Sequence, residues 1–179
     1  SNIVKALSVK EEKPSQTIDI LVDGDDYLFE NDVLDIVLFT YRRTQCLLTY
    51  GTFFRKSTKL SFGKKYPYRI ISKNEFRNFP WMASHLKTFR HDLFLKIKKD
   101  DLKDENGEYY SSAWDLALMF PMLEMASFRQ ECIPDLLYLY NDLNSLSDHN
   151  LRREEQIKFE EQIRKKPCYG KQKFSLIQF

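Results

Sequence analysis

Cysteine is scarce: Cys46, Cys132 and Cys168 are all that the 179 residues carry. Their number is odd and their spacing wide, which argues against a disulfide framework and against a paired zinc site, so free thiols in a reducing compartment are expected. No apolar run reaches the roughly 18 residues a membrane-spanning helix needs. Nor does a basic segment followed by an apolar one stand at the start. The expected location is therefore cytoplasmic, or peripheral at a membrane face, with no transmembrane segment. Internal repeats and low-complexity tracts are missing as well.

What is present is ordinary in bulk and uneven in detail. Hydrophobic residues make up 42% and charged residues 30%, the balance of a globular chain long enough for one domain with a core, or for part of a larger one. Fourteen Phe and ten Tyr predict an aromatic-rich core. The net charge of +2 conceals an asymmetry. Residues 55–99 hold thirteen Lys or Arg against two acids, Glu75 and Asp92, whereas residues 100–148 hold eleven acids against Lys103 and Arg129. Two readings are open: solvated faces that attract each other, or a basic surface for an anionic ligand opposite carboxylates that hold a cation.

Periodicity predicts an alternating order of helices and strands. "NIVKALSVKEEK" carries a weak helical stripe that ends before Pro14; "TIDILV" reads as a buried strand halted at Asp23-Gly24. "ENDVLDIVLFTYRR" reads as a helix capped by Asn31 or Asp32, and "CLLTYGTFF" as a second strand. Residues 55–81 have no sustained period and are expected to form a long functional loop with short strands. "SHLKTFRHDLFLKI" reads as a helix, and "DDLKDENGEYYSS" as a polar turn at Asn106-Gly107. "AWDLALMFPMLEMA" reads as a helix kinked or restarted at Pro121, "LLYLYN" as a strand, "DLNSLSDHN" as a loop and "LRREEQIKFEEQIRKK" as a charged amphipathic helix. This order suggests an α/β domain.

The chemical signal lies in "ILVDGDDYLFENDVL", where Asp23, Asp25 and Asp26 gather around Gly24 directly behind an apolar strand. The C-terminal edge of such a strand borders a crevice where ligands bind. Clustered carboxylates there repel one another unless a cation joins them, and Mg²⁺ or Mn²⁺ favours oxygen donors and leaves room for phosphate oxygens. Gly24 would relax the backbone so that Asp23 and Asp25 aim at one ion. A plain turn followed by a helix cap is the structural alternative. Calcium-loop spacing is absent, and a metal nuclease could use the same acids.

"ILVDGDDYLFENDVLDIV" resembles the strand, acidic motif and following helix of the family 2 glycosyltransferases with the GT-A fold. "FRHDLF", "YYSSAWDLALMFPMLEMA" and "YLYNDLNSLSD" resemble, in the same order, the family's arginine-bearing stretch, its catalytic-aspartate segment and its closing strand with a Ser-rich loop. The likeness covers roughly residues 2–150. It implies a GT-A-like, Rossmann-like three-layer mixed sheet with flanking helices, lacking the family's first nucleotide-binding strand–helix–strand unit, with residues 151–179 as a charged helical tail. It implies an inverting, Mn²⁺- or Mg²⁺-dependent transfer of a sugar from a nucleotide-sugar donor, UDP-sugar above all, to a hydroxyl of a glycan, lipid or protein. By the resemblance, Asp23 and Asp25 hold the metal, Asp26 and His149 contact the donor, and Asp115 is the general base. Trp81, His85, Arg90 and Trp114 are acceptor-side candidates. Core packing for the two indoles, an exposed His, an ion-paired Arg and a helix-capping Asp115 are the plain alternatives. Two other functions stay open: nucleic-acid binding or metal-nuclease action through the basic stretch, and a non-catalytic interaction domain.

Overall fold

The short β-branched run after Thr17 forms a strand, β1 (Ile18–Leu21), and the turn behind it leads into a two-residue strand, β2 (Tyr27–Leu28). The computed structural model describes residues 2–143 and 153–177. Ahead of β1 lies a short helix, α1 (Asn2–Leu7). Helix α2 (Val33–Thr44) follows β2, with Asp32 at its N-cap position but making no side-chain capping bond. Strand β3 (Leu48–Arg55) turns back into β4 (Leu60–Phe62). The stretch expected to be loop also holds helix α3 (Tyr68–Lys73) and a 3₁₀ turn at Phe76–Asn78. Six residues are too few to print a helical period, and α3 is set by Pro67 before it and by burial of Ile70 and Ile71.

The expected helix over "SHLKTFRHDLFLKI" is a correction. Lys87–Arg90 is instead a fully buried strand, β5, and only His91–Phe94 is helical, as α4. Leu86, Phe89 and Leu93 do fall at helical spacing, but Thr88 and Phe89 suit a pleated strand, and pairing on both edges overrides the local pattern. After a 3₁₀ turn at Lys99–Leu102, helix α5 (Trp114–Ala126) runs unbroken through Pro121, buried from Leu116 onward on every side. Strand β6 (Gln130–Tyr140) begins well before "LLYLYN", and helix α6 (Arg153–Lys165) closes the order.

The sheet runs β1-β5-β3-β6-β2, with β4 pairing the end of β3. Every pairing is antiparallel except β3 with β6. Opposite Gly51 and Thr52 of β3, strand β6 carries Pro134 and Asp135 as extra residues, because proline has no N–H for the ladder and is accommodated as a bulge. Helices cover both faces of this mixed α/β sheet. Val33, Val37 and Tyr41 of α2 pack with Leu86, Ile133 and Leu137 on one side. On the other, α5 packs with Leu48, Tyr50 and Phe89, and α6 adds Phe159 and Ile163 to the same core. The three cysteines are free thiols, Cys46 buried and Cys168 exposed. Among the described residues no helix is long and apolar enough to cross a membrane.

One buried ion pair ties the helical side together. Arg77 donates from Nε and Nη2 to the two carboxylate oxygens of Glu124 at 2.5 and 3.0 Å, and from Nη1 to the carbonyl of Ile163 at 2.6 Å. Glu124 also accepts the Tyr169 amide at 2.8 Å. Removing one partner strands a buried charge, so Glu124→Ala should cost about 3–5 kcal/mol of stability. Urea unfolding of the variant beside the wild type measures it, and a loss below about 1 kcal/mol would show that the pair is not what joins α5 to α6.

Candidate functional site

Strand β1 delivers Asp23 to the end of the sheet, and the turn after it is closed by the Asp26 N–H donating to the Asp23 carbonyl at 3.1 Å. The turn is stitched to the C-terminal end of β6. The Asp23 N–H donates to the Tyr138 hydroxyl oxygen at 3.0 Å, and the Asn141 N–H donates to Asp26 Oδ1 at 2.8 Å. Tyr27 and Leu28 pair with Leu139 and Tyr138. Asp26 is buried, and its Oδ2 has no partner at hydrogen-bonding geometry. The Tyr138 hydroxyl, whose own proton is not used by Asp23, is the side chain beside it.

Gly24 has open space where a Cβ would sit and no left-handed backbone, so the turn does not require glycine there. That corrects the expectation that Gly24 relaxes the chain for its neighbours. Asp32, similarly, caps α2 by position alone.

Asp115 comes to this turn from ninety-two residues further along the chain. It lies in the first turn of α5, with Oδ1 accepting the Leu116 N–H at 3.0 Å and Oδ2 lying 3.3 Å from Lys87 Nζ. Lys87 stands opposite Leu21 in the β1–β5 register and is only 3% exposed. Its charge and that of Asp115 both reach Asp23. Burial raises the Asp23 carboxyl above its ordinary value, Lys87 draws it down, and Asp26, Asp115 and Asp25 push it up. Asp26 is raised too, first by burial, against the pull of the Asn141 amide and Tyr138. The carboxyls of Asp26, Asp115 and Asp25 and the ammonium of Lys87 thus all act on Asp23.

The remaining candidates divide. His85 lies flat against Tyr138, ring centroids 4.5 Å apart, with Tyr140 stacked at 5.7 Å and Phe53 edge-on at 5.8 Å. Burial, then Lys87, holds its imidazole well below the usual value, so it is neutral at physiological pH. Arg90 is not brought to the cleft. It pairs with Ile18 at the far end of β1, is fully buried, and gives its guanidinium to Asp92 and to the Ser175 carbonyl. Trp81 meets Phe120 edge-on at 5.1 Å within the core. Trp114 lines a small apolar crevice with Ile3, Val4, Leu102 and Tyr110. Both indoles are engaged in packing. His149 lies outside the described residues.

Lys87 and Tyr138 were not found from the sequence. A lone lysine within "LKTFR" was the available signal for Lys87, and it was hidden by reading that stretch as helix. Among the described residues, no three His, Cys, Asp or Glu side chains close on one point as a preformed metal cage would. Compared with known proteins, the chain matches no family model and no curated protein at a significant level. The donor set still fits a hard cation. All its ligating atoms are oxygens, negative charge is in excess, and Mg²⁺ characteristically takes only one or two carboxylates and fills its other positions with water or phosphate.

Four ion pairs join the basic and the acidic halves of the chain. Arg55 meets Asp142 at 3.6 Å, Lys65 meets Glu131 at 3.8 Å, Arg77 meets Glu124, and Lys87 meets Asp115.

Two predictions follow from the turn. A carboxyl raised in the folded chain binds its proton more tightly there than in the unfolded chain, so its contribution is full at low pH and lost as pH rises through the raised value. Asp23→Asn should therefore raise the Tm at neutral pH and give a smaller gain near pH 3, below the ordinary aspartate value. Thermal melts at the two pH values check this, and an equal gain at both would refute it. Gly24→Ala should change stability by no more than about 0.5 kcal/mol in denaturant unfolding.

Proposed function

We propose that the chain forms the metal and acceptor side of a GT-A-like glycosyltransferase of the family 2 type, one that moves a sugar from a nucleotide-sugar donor to an acceptor hydroxyl with inversion. The observation that carries this reading is the convergence of Asp115, distant in sequence, with Lys87 and the Asp23 turn. Sugar transfer asks for a stabilised leaving diphosphate, a deprotonated acceptor and both held in line.

In this reading Asp23 and Asp25 hold Mn²⁺ or Mg²⁺. When bound, the cation neutralises charge on the departing diphosphate. Asp115 takes the acceptor proton. Its side chain is about a quarter exposed, and each of its oxygens keeps a lone pair beyond the contacts with the Leu116 amide and Lys87. Asp26, turned inward onto Asn141, supports the turn that carries the metal ligands. His85, neutral and stacked on Tyr138, is the acceptor-side residue tied to this cleft. β1 is an edge strand, and the family's nucleotide-binding strands would extend the sheet from its open edge.

Calorimetry of Mn²⁺ with and without UDP tests the reading. Wild type should bind Mn²⁺, with UDP strengthening the interaction, and Asp25→Ala should lose most of the heat. Where transfer is measured, Asp115→Asn should lower turnover by about 10²–10⁴ while leaving the Mn²⁺ heat in place. Identical heats for wild type and Asp25→Ala would count decisively against it.

A further inference from the structure

We propose that Lys87 is a positioning residue: its buried ammonium fixes the Asp115 carboxylate beside the Asp23 turn and supplies positive charge to Asp23 and Asp26. The inference deepens the reading above and rests on it for what Asp115 does, but not for the ion pair itself.

Three observations carry it. Lys87 is set by register, opposite Leu21, the third residue from the Asp23 turn. Its side chain is 4% exposed, which removes the ammonium from solvent, and a lysine so buried is costly unless something compensates it. The compensation comes from the cleft. Asp115 Oδ2 lies 3.3 Å away, and the charge of Lys87 also reaches Asp23 and Asp26 from the other side. A lysine serving only to fill the core would be replaceable by methionine with no consequence at the turn. Here the stem crosses the sheet's apolar face and delivers the charge to the place where the acids gather.

Facing Lys87 are Asp115 from α5, Asp23 and Asp26 from the turn, and neutral His85 from the segment just before β5. Deleting the ammonium adds one uncompensated negative charge to the cleft. Cation affinity should then rise while Asp115 loses its anchor, two effects of opposite sign that a purely structural role does not produce.

The experiment compares Mn²⁺ binding to the full chain, Lys87→Met and Lys87→Arg, using the metal alone. Lys87→Met should bind Mn²⁺ roughly tenfold tighter, and Lys87→Arg should resemble the wild type. Unchanged or weaker binding in a folded Lys87→Met protein overturns the proposal. Independently of any cation, ¹⁵N NMR of the lysine ammonium groups should show one signal protected from solvent exchange in the wild type and lost in Asp115→Asn. This measurement also decides the matter if Lys87→Met does not fold. A wild type that binds no Mn²⁺ sinks the glycosyltransferase reading. Lys87 is then judged by its ammonium signal alone: protection that depends on Asp115 upholds the proposal, and fast exchange, or protection indifferent to Asp115→Asn, overturns it.

Discussion

Each feature of the cleft depends on β5 lying between β1 and β3 in one register. Side chains alternate across a strand, so a slip of one residue would turn Lys87 to the α2 side and Thr88 to the α5 side. The register is held from the α2 face. There the Thr88 hydroxyl meets Thr49 Oγ1 at 2.7 Å and the Tyr41 hydroxyl at 3.0 Å, a buried polar cluster with no other partners to choose. With Thr88 fixed on that face, Lys87 and Phe89 must point to the other, where α5 begins with Asp115. Leu21 and Asp23 point the same way from β1. A hydroxyl network on one side of the sheet thereby sets the electrostatics on the other.

The pairs Arg77–Glu124 and Lys87–Asp115 each have a buried cation, and they are of opposite character. Arg77 and Glu124 satisfy each other twice over and take up backbone groups of Ile163 and Tyr169 with what remains. Nothing is left over, and the pair is structural. Lys87 and Asp115 meet through one contact, and the same ammonium also acts on Asp23 and Asp26. At an effective dielectric of about 20 a contact pair is worth about 4 kcal/mol, while burying each ion costs several. One ammonium can roughly offset Asp115; it cannot also settle the turn. In the proposed function, that is the charge a bound cation would relieve.

Patterns that depend on neighbours in sequence were legible. β1, α2, β3, α5 and α6 all follow from apolar spacing and their terminators, and the acidic turn was visible as chemistry. What escaped depended on partners distant along the chain. The stretch around Lys87 carries a helical stripe, yet two flanking strands make it β5. Pro134 is absorbed by a bulge, so β6 begins earlier than the strand expected over "LLYLYN". Arg90 and the two tryptophans carry side chains suited to a sugar or a phosphate. Their positions, set by register and by the core, give those side chains to Asp92, to Phe120 and to α1 instead. Residue type told what each side chain could do, and topology decided which of them were available to do it.

The division of charge along the chain has the same origin. β3 and β6 lie side by side in parallel with Arg55 opposite Tyr140, so Arg55 at the end of β3 is brought to Asp142 just past the end of β6. Four cations of the basic stretch find acids of the other half. A surface meant for the phosphates of a nucleic acid would keep those cations uncompensated, since affinity there comes from replacing counterions along a backbone. Here those four are taken up by the chain's own acids. The Asp23 turn differs: there Asp26, Asp115 and Asp25 raise the Asp23 carboxyl against the pull of Lys87.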